Sequence, residues 1–382
     1  MSIYLDHAAS TPPLPEVIEA VSGAMREHWA NPSSLHGLGA AAARALTKAR
    51  EEVAALVHAE PETIVFTGSG TEANALGLIG AARAARQHHM VISAIEHAAV
   101  FHSAHRMTSE GWQVDEVAPA SNGCVSAEAV LAAVRPETSV VAIMLVNNEL
   151  GTLQPIPDIA RGLRALGRKI HFHVDAVQFA GIVPLDVRTK GADSIAISGH
   201  KLHGPKGIGA LWLRAGARVQ ALYGGGGQER DLRPGTENLP ACIGFGVAAT
   251  RARSDGQAAT RVGELRDRLE ELIFANVPQA KPAVPLDTPR APHIASVLLP
   301  GLPAEPVLHA LEARAVYASE GAACSSRAHE QSRVLRALGL PANTGALRFS
   351  LSRLTTPADV EQAARALAEA VPEIARAGKY GR

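Results

Sequence analysis

Apolar and polar residues follow two alternating patterns along the chain. Apolar residues at three- and four-residue intervals predict helices over residues 14–29, 39–58, 72–86 and 97–110. Short, nearly continuous apolar runs predict strands over residues 63–67, 90–94, 139–146, 169–175, 193–198 and 207–213. Buried strands that alternate with helices are typical of a mostly parallel sheet covered on both faces, so the pattern predicts an α/β fold.

The pattern changes near residue 240. Beyond this point lie a charged helix over 263–277, a proline-rich stretch over 278–293 and an amphipathic helix over 356–371. We therefore expect a second, smaller unit in the C-terminal part of the chain. We predict a large domain over residues 14–245 and a small α+β domain formed by residues 1–13 and 246–382.

Composition excludes several classes of protein. Of the 382 residues, 47% are hydrophobic and 19% are charged, and the formal net charge is zero. These values favour a packed core and argue against a nucleic-acid or anionic-membrane partner. No apolar run reaches the roughly 18 residues that a membrane-spanning helix needs. Three cysteines without CxxC spacing, and an N-terminal stretch without a secretory pattern, lead us to expect a cytoplasmic protein.

The carboxyl ends of the predicted strands carry the candidate chemistry, because parallel α/β sheets bind ligands there. Ser69 and Glu72 follow the first strand with the spacing of a capping box that starts a helix. The glycine-rich turn around them would also expose N–H groups that attract a phosphate. A purely structural cap fits the same residues.

Asp175 and Lys201 come at the ends of two further apolar strands. His171, His173 and Asp175 alternate along one strand like metal ligands, but no further ligand cluster accompanies them, and we predict no metal site. A lysine at the end of a buried strand is costly unless it is paired, exposed or covalently engaged. A site of low dielectric constant favours its reaction with an aldehyde. We predict that role for Lys201 and a solvated surface turn for Lys206.

Together these residues would meet the three needs of pyridoxal phosphate. The cofactor requires an anion site, a partner for a protonated ring nitrogen, and an amine that traps its aldehyde. The glycine-rich turn, Asp175 and Lys201 would supply them at one edge of one sheet.

A series of short motifs runs in order along almost the whole chain. They are YLDHAAST (4–11), NPSSLHGLG (31–39), IVFTGSGTEAN (64–74), IEH (95–97), VNNELGTLQPI (146–156), HVDAVQ (173–178), SGHKLHGPKGIGAL (198–211), GGGGQERDLRPGTEN (224–238), GAACSS (321–326), SRVLRALGL (332–340) and LRFSLSRLTT (347–356). With this series the chain resembles cysteine desulfurases of the NifS/IscS type. These are class V aminotransferase-like enzymes with the fold-type I architecture of pyridoxal-phosphate-dependent transferases.

The resemblance implies a cofactor site. The residues implied to bind pyridoxal 5'-phosphate are Gly70, Thr71, Asn148, Asp175, Gln178, Ser198, His200, Lys201 and Thr236. Among them, Lys201 would carry the cofactor covalently and Asp175 would pair with the ring nitrogen. Thr236 would reach the phosphate from the partner subunit, so the resemblance also implies a homodimer.

The catalytic residues implied by the resemblance are Lys201, His97 and Cys324. Lys201 and His97 would move protons on the substrate, L-cysteine. The implied substrate-binding residues are Arg348, Asn148 and Asn31. The Cys324 thiolate would attack the substrate sulfur, giving alanine and a persulfide on Cys324. Small residues around Cys324 predict a mobile loop in the small domain that passes the sulfur to an acceptor, by family analogy a scaffold for iron–sulfur clusters.

Other functions are compatible with the same fold. A selenocysteine lyase would use the same residues, and another class V aminotransferase would need no catalytic cysteine. A non-catalytic relative would be expected to lose some of the five key residues. All five, Lys201, Asp175, His97, Cys324 and Arg348, are present.

Overall fold

The computed structural model describes residues 2–321 and 331–380, with side chains as far as residue 376. The strands are β1 (Ile3–Tyr4), β2 (Ile64–Thr67), β3 (His89–Ser93), β4 (Gln113–Val117), β5 (Thr138–Ala142), β6 (His171–Asp175), β7 (Ser194–Ser198), β8 (Gly209–Leu213), β9 (Lys281–Pro282), β10 (Ile294–Pro300), β11 (Val316–Tyr317) and β12 (Thr344–Ser350). The α-helices are α1 (Pro15–Glu27), α2 (Gly37–Leu56), α3 (Gly70–Ala84), α4 (Ala98–Arg106), α5 (Ala127–Ala132), α6 (Ile156–Ala165), α7 (Val187–Lys190), α8 (Leu239–Ser254), α9 (Ala258–Asn276), α10 (Ala304–Glu312), α11 (Arg333–Ala337) and α12 (Pro357–Tyr380).

The larger sheet has the strand order β2-β8-β7-β6-β5-β3-β4. Strand β8 runs antiparallel to both of its neighbours, and the other pairs are parallel. The predicted mostly parallel sheet is confirmed. Strand β4 was not predicted, because it lies at the edge of the sheet and its sequence, QVDEV, exposes polar side chains that mask the apolar run.

The third predicted strand, over 139–146, ends earlier in the structure than the sequence predicts. Regular β5 stops at Ala142, four residues early. The chain nevertheless continues beside β6, because the amides of Ile143 and Leu145 donate to the carbonyls of His173 (3.1 Å) and Asp175 (2.8 Å). This irregular extension carries residues 147–149 to the edge of the sheet where β6 ends.

A second, antiparallel sheet has the order β12-β10-β9, and β1 pairs in parallel with β11. The apolar faces of α9 and α12 cover this sheet, with Leu269, Val297, Phe349 and Leu367 fully buried between them. The N-terminal segment thus joins the C-terminal part of the fold through β1 and then runs back toward the larger sheet.

Helix α8 crosses the predicted boundary at residue 245. It packs against α1 and α2, and Phe245, Ala248 and Ala249 lie in the core of the larger sheet. The domain limits 14–245, and 1–13 with 246–382, stay a prediction.

None of the helices in residues 2–321 and 331–380 combines the length and the apolar character that a membrane crossing requires.

Candidate active site

A cavity of about 590 Å³ lies at the edge of the larger sheet where β5, β6 and β7 end. Most of the residues predicted from the sequence line it. They are Gly70, Thr71, His97, Asn148, Asp175, Gln178, Ser198, His200, Lys201 and Arg348. The cavity therefore brings together residues that are far apart in the chain, as the α/β topology predicts.

Two of the predicted site residues that the structure describes are not among those that line this cavity. Asn31 is exposed, and its side-chain oxygen accepts a hydrogen bond from the Ser33 amide at 2.9 Å. Thr236 is exposed on the surface of the single chain. Cys324 lies in 322–330, outside the described residues. The roles of all three stay predictions.

The N-terminus of α3 begins at the Ser69 cap. Ser69 Oγ accepts from the Glu72 amide at 3.1 Å, as the capping box predicts. The Glu72 carboxylate differs from the prediction, because it accepts from the Gly68 amide (2.6 Å) rather than from the Ser69 amide. Its other oxygen accepts from Arg233 and Tyr223, which hold the carboxylate away from the Ser69 amide.

Gly70 and Ser198 form a cradle beside this helix end. A Cβ atom at Gly70 would lie 2.7 Å from Val177 Cγ2 and 3.1 Å from Ser198 Cβ, so only glycine fits without a shift. Ser198 Oγ is buried and has no hydrogen-bond partner in the described chain. Buried hydroxyls are normally bonded, and the first amides of a helix lack intrahelical acceptors. The cradle therefore offers several donors to one anion.

Asp175 ends β6 with a fixed, buried carboxylate. It is 4% exposed, and its oxygens accept from Asn74 Nδ2 (2.8 Å) and from the Val177 amide (2.9 Å). Burial raises the pKa of Asp175, an effect that nearby His97 opposes. A carboxylate held in this way is stabilised by any cation that enters the cavity.

The alternating histidines of β6 have structural partners. His173 contacts Asn74 Oδ1 at 2.9 Å and Ser194 Oγ at 2.8 Å, and His171 also contacts Ser194 Oγ. His173 therefore fixes the amide that holds Asp175. In the ranges 2–321 and 331–380, no three His, Cys, Asp or Glu side chains are arranged to hold a metal ion.

Lys201 is hydrogen bonded to the N-terminal segment. Its Nζ donates to the carbonyl oxygens of Ala8 and Ala9, the latter at 2.8 Å. Gln178 Nε2 also donates to Ala8 at 2.8 Å, while Gln178 Oε1 is buried with no partner in the described chain. His200 contacts Ser10 Oγ through Nδ1 at 3.2 Å. The N-terminal segment therefore positions the lysine and one wall of the cavity.

His97 caps α4. Its Nδ1 accepts from the Ala99 amide at 3.1 Å, which places the proton of the neutral ring on Nε2. Burial lowers the pKa of His97, with nearby Asp175 acting in the opposite direction. The ring is therefore neutral at pH 7.

Arg348 reaches the cavity from the second sheet, on β12. It is 2% exposed and donates to Asn148 O (2.8 Å), Gly321 O (3.0 Å) and Asp6 Oδ1 (2.8 Å). Its Nε is buried without a partner in the described chain. The cavity is thus closed by both sheets and offers a fixed guanidinium to an anion.

Two buried carboxylates in the cavity wall were missed. Glu96 Oε1 accepts from Ser93 Oγ (2.5 Å) and the Met144 amide (2.8 Å), while Oε2 has no partner among the described groups. Burial raises the pKa of Glu96 to about 8. Glu149 Oε2 accepts from Ser332 Oγ at 2.5 Å. The only sequence signal for them was their position beside His97 and Asn148.

Asn147 has a structural role. Its Oδ1 accepts from the amides of Glu149 (2.9 Å) and Leu150 (2.8 Å), and its Nδ2 donates to Ile95 O (3.0 Å). These bonds shape the turn that presents Asn148 to the cavity.

Comparisons with known proteins agree with this geometry. The family model described as Aminotransferase class-V matches residues 3–363. A cysteine desulfurase of Nostoc sp. is 39% identical over 97% of this chain and 92% of its own length. Among solved structures, a NifS-like protein superposes with a TM-score of 0.91 at 32% identity, over 98% of this chain and 100% of its own. SspA in complex with cysteine gives 0.81 at 33% identity, over 93% and 100% of the two chains. The predicted resemblance and fold class are confirmed.

Replacing Glu96 by Gln tests whether the buried Glu96 carboxyl group is protonated in the folded protein. The folded-state pKa of about 8 exceeds the ordinary 4.5, so the wild-type protein loses stability as pH rises from 4.5 to 8, by about 1.4 kcal/mol per pH unit. Gln keeps the contacts of Oε1 without that dependence. Urea unfolding should show E96Q more stable than wild type by roughly 4 kcal/mol at pH 8, and by less than about 1 kcal/mol at pH 5.

The exposed Glu361 on α12 provides the control. E361Q should follow the wild-type stability at every pH. A stability difference between E96Q and wild type that does not change with pH would contradict the protonated, buried state of Glu96.

Proposed function

The chain belongs to the class V aminotransferase family, and on that premise we propose that it is a cysteine desulfurase. Enzymes of this family use pyridoxal 5'-phosphate, which confirms the predicted cofactor. One observation carries the proposal: Lys201, Asp175, Ser198 and Arg348 share a single cavity in a chain that matches a cysteine desulfurase over nearly its full length. The likeness to a protein solved with cysteine supports L-cysteine as the substrate.

The residues present fit the cofactor. The α3 N-terminus, Gly70 and the Ser198 hydroxyl, which has no partner in the described chain, would hold its phosphate, and Asp175 would pair with its ring nitrogen. Lys201 would bind its aldehyde carbon. When bound, the cofactor supplies an electron-withdrawing ring that stabilises the charge left when a proton leaves the substrate Cα.

Asp175 and His97 would determine which groups in the site carry protons. A cation beside Asp175 lowers the pKa of the carboxyl again, so the carboxylate stays ionised in its presence. His97 donates from Nε2, and it accepts a proton at Nδ1 only by releasing the Ala99 amide. This geometry suits a residue that first orients a group and then exchanges a proton.

Arg348 would bind the carboxylate of the substrate. Its Nε is unpartnered in the described chain, and the Asp6 carboxylate already balances part of its charge. Because the guanidinium is held by Asn148 O and Gly321 O, little rotamer freedom is lost when the substrate binds. The Cα atom of the substrate would then be oriented toward Lys201.

Cys324 would carry out the sulfur transfer. Its thiolate attacks the substrate sulfur, forming an S–S bond while the substrate Cβ–S bond breaks. The electron pair of that bond remains on the former Cβ, which takes up a proton, and alanine leaves. The sulfur stays as a persulfide on Cys324 until an acceptor takes it, and we propose a protein scaffold for iron–sulfur clusters as that acceptor.

Product analysis with L-cysteine and a thiol reductant tests this function. Wild-type protein should release equimolar alanine and sulfide, because the reductant frees the sulfur from Cys324. Lys201→Ala and Cys324→Ala should each lower both products by roughly 100-fold or more. Lys206→Ala, at an exposed position, should stay near wild type.

Other products would overturn the proposal. Full turnover of Cys324→Ala, or a keto acid in place of alanine, would indicate an aminotransferase. Faster turnover of selenocysteine with no sulfide from cysteine would indicate a selenocysteine lyase.

We also propose that two copies of the chain form a homodimer in the cytoplasm. Large apolar side chains are exposed along one stretch, at Ile18, Met25, Trp29, Leu35 and Leu38. Trp29 is 71% exposed, and large apolar side chains exposed this close together in the chain favour an interface. The exposed Thr236 is available to a second copy. The free thiols of Cys124 and Cys242 support a reducing compartment.

Sedimentation equilibrium tests the dimer. Wild type should sediment at twice the mass of the chain, and the double variant Trp29→Glu/Leu35→Glu should dissociate about 100-fold more readily, because charges replace apolar contacts. Leu286→Glu, at an exposed leucine outside this stretch, is the control. A monomeric wild type, or a double variant that dimerises normally, would contradict the proposed interface.

A further inference from the structure

The Glu72 side chain contacts two parts of the structure at once. One carboxylate oxygen accepts from the Gly68 amide at 2.6 Å, in the turn that leads into α3. The other accepts from Arg233 Nε at 2.9 Å and from Tyr223 Oη at 3.0 Å. A single carboxylate therefore joins the anion-binding end of α3 to segment 223–233.

The same segment is tied to β2, the strand that leads into Gly68. Glu229 is 6% exposed, and its Oε2 accepts from the Phe66 amide at 2.8 Å and from Arg50 Nη1 at 2.7 Å. Arg230 Nη2 donates to Ile64 O at 3.0 Å. These contacts fix the middle of the segment independently of Glu72.

The backbone of segment 223–233 is held in a disfavoured conformation. Three consecutive non-glycine residues, Glu229, Arg230 and Asp231, have φ values of 45°, 58° and 61°. Left-handed conformations of such residues persist only where surrounding contacts over-determine them. Thr236 follows a few residues later and is exposed, so the shape of this segment sets where Thr236 is presented.

We propose that Glu72 is a positioning residue that couples the cofactor-binding end of α3 to segment 223–233 and so to the surface carrying Thr236. The proposal rests on the proposed function, because it takes pyridoxal 5'-phosphate as the occupant of the cradle and a second copy as the neighbour of Thr236. A phosphate bound by the first amides of α3 restrains the turn at Gly68. That restraint orders Glu72, whose second oxygen then orders Arg233 and Tyr223.

Coupling of this kind is reciprocal. If an occupied cradle stabilises segment 223–233, then loss of the link on the segment side weakens binding in the cradle by the same factor. Glu72→Gln breaks the link, because its amide nitrogen cannot accept and only one of the two sets of bonds survives. Arg233→Met removes the main contact on the segment side and leaves the Glu72–Gly68 bond in place.

Hydrogen–deuterium exchange followed by mass spectrometry tests the proposal on the full chain. Peptides that cover 223–236 are compared with and without pyridoxal 5'-phosphate, at concentrations where sedimentation shows both forms in the same oligomeric state. In wild type, removing the cofactor should raise exchange in these peptides about fivefold. In Glu72→Gln and Arg233→Met the cofactor-bound form should already exchange fast, so the ratio should fall below about twofold.

Glu229→Gln is the matched control, since Glu229 holds the same segment but does not contact the turn at Gly68. Its peptides should exchange faster in both forms and keep the dependence on the cofactor. Saturating pyridoxal, which lacks the phosphate, should protect the segment no better than the cofactor-free state. The dissociation constant of pyridoxal 5'-phosphate should rise about fivefold in Glu72→Gln and Arg233→Met.

The inference is overturned if wild type shows no cofactor-dependent protection of 223–236, if Glu72→Gln and Arg233→Met keep the wild-type ratio, or if pyridoxal protects fully. These failures differ from failure of the proposed function. A wild-type chain that binds no pyridoxal 5'-phosphate at all, followed by its absorbance, would instead remove the premise.

Discussion

The buried carboxylate of Asp175 is the constraint on which the rest of the site depends. A charge taken out of water must be paired or hydrogen bonded, and here the chain supplies amide donors from Asn74 and Val177. Asn74 is fixed in turn by a hydrogen bond with His173, which is itself hydrogen bonded to Ser194 of the neighbouring strand. The sheet therefore holds a buried carboxylate that lines the cavity and can pair with a cation there.

The cavity also depends on both sheets and on the N-terminal segment. Strand β1 pairs with β11, and the chain then returns so that the carbonyls of Ala8 and Ala9 accept from Lys201. Arg348 comes from β12 and closes the opposite side. Neither sheet alone assembles the site, which explains why its residues are scattered over the whole sequence.

Much of this could be predicted from the sequence where one physical signal dominates. Strands that are buried on both faces are largely apolar, so β2, β6 and β7 were predicted within two residues at either end. Ser69 was identified as a cap because its spacing to Glu72 follows from helix geometry. Edge strand β4 was missed, since its exposed polar residues hide the pattern.

Residues whose role depends on distant partners were harder to assign. Glu96 and Glu149 gave no local signal beyond their position beside His97 and Asn148, because their importance comes from burial against strands and helices far away in sequence. The second partner of Glu72, Arg233, lies 161 residues further on, which no spacing rule anticipates. The roles predicted for Asn31 and Thr236 involve surfaces that a single chain leaves exposed.

The central claim is that Lys201 is the amine that holds pyridoxal 5'-phosphate in the cavity beside Asp175. The most direct measurement is peptide mass spectrometry of the reconstituted protein after borohydride reduction. The account predicts that the reduced cofactor is attached to the peptide containing Lys201, at that residue. Attachment at Lys206, or no covalent attachment anywhere in the chain, would contradict it.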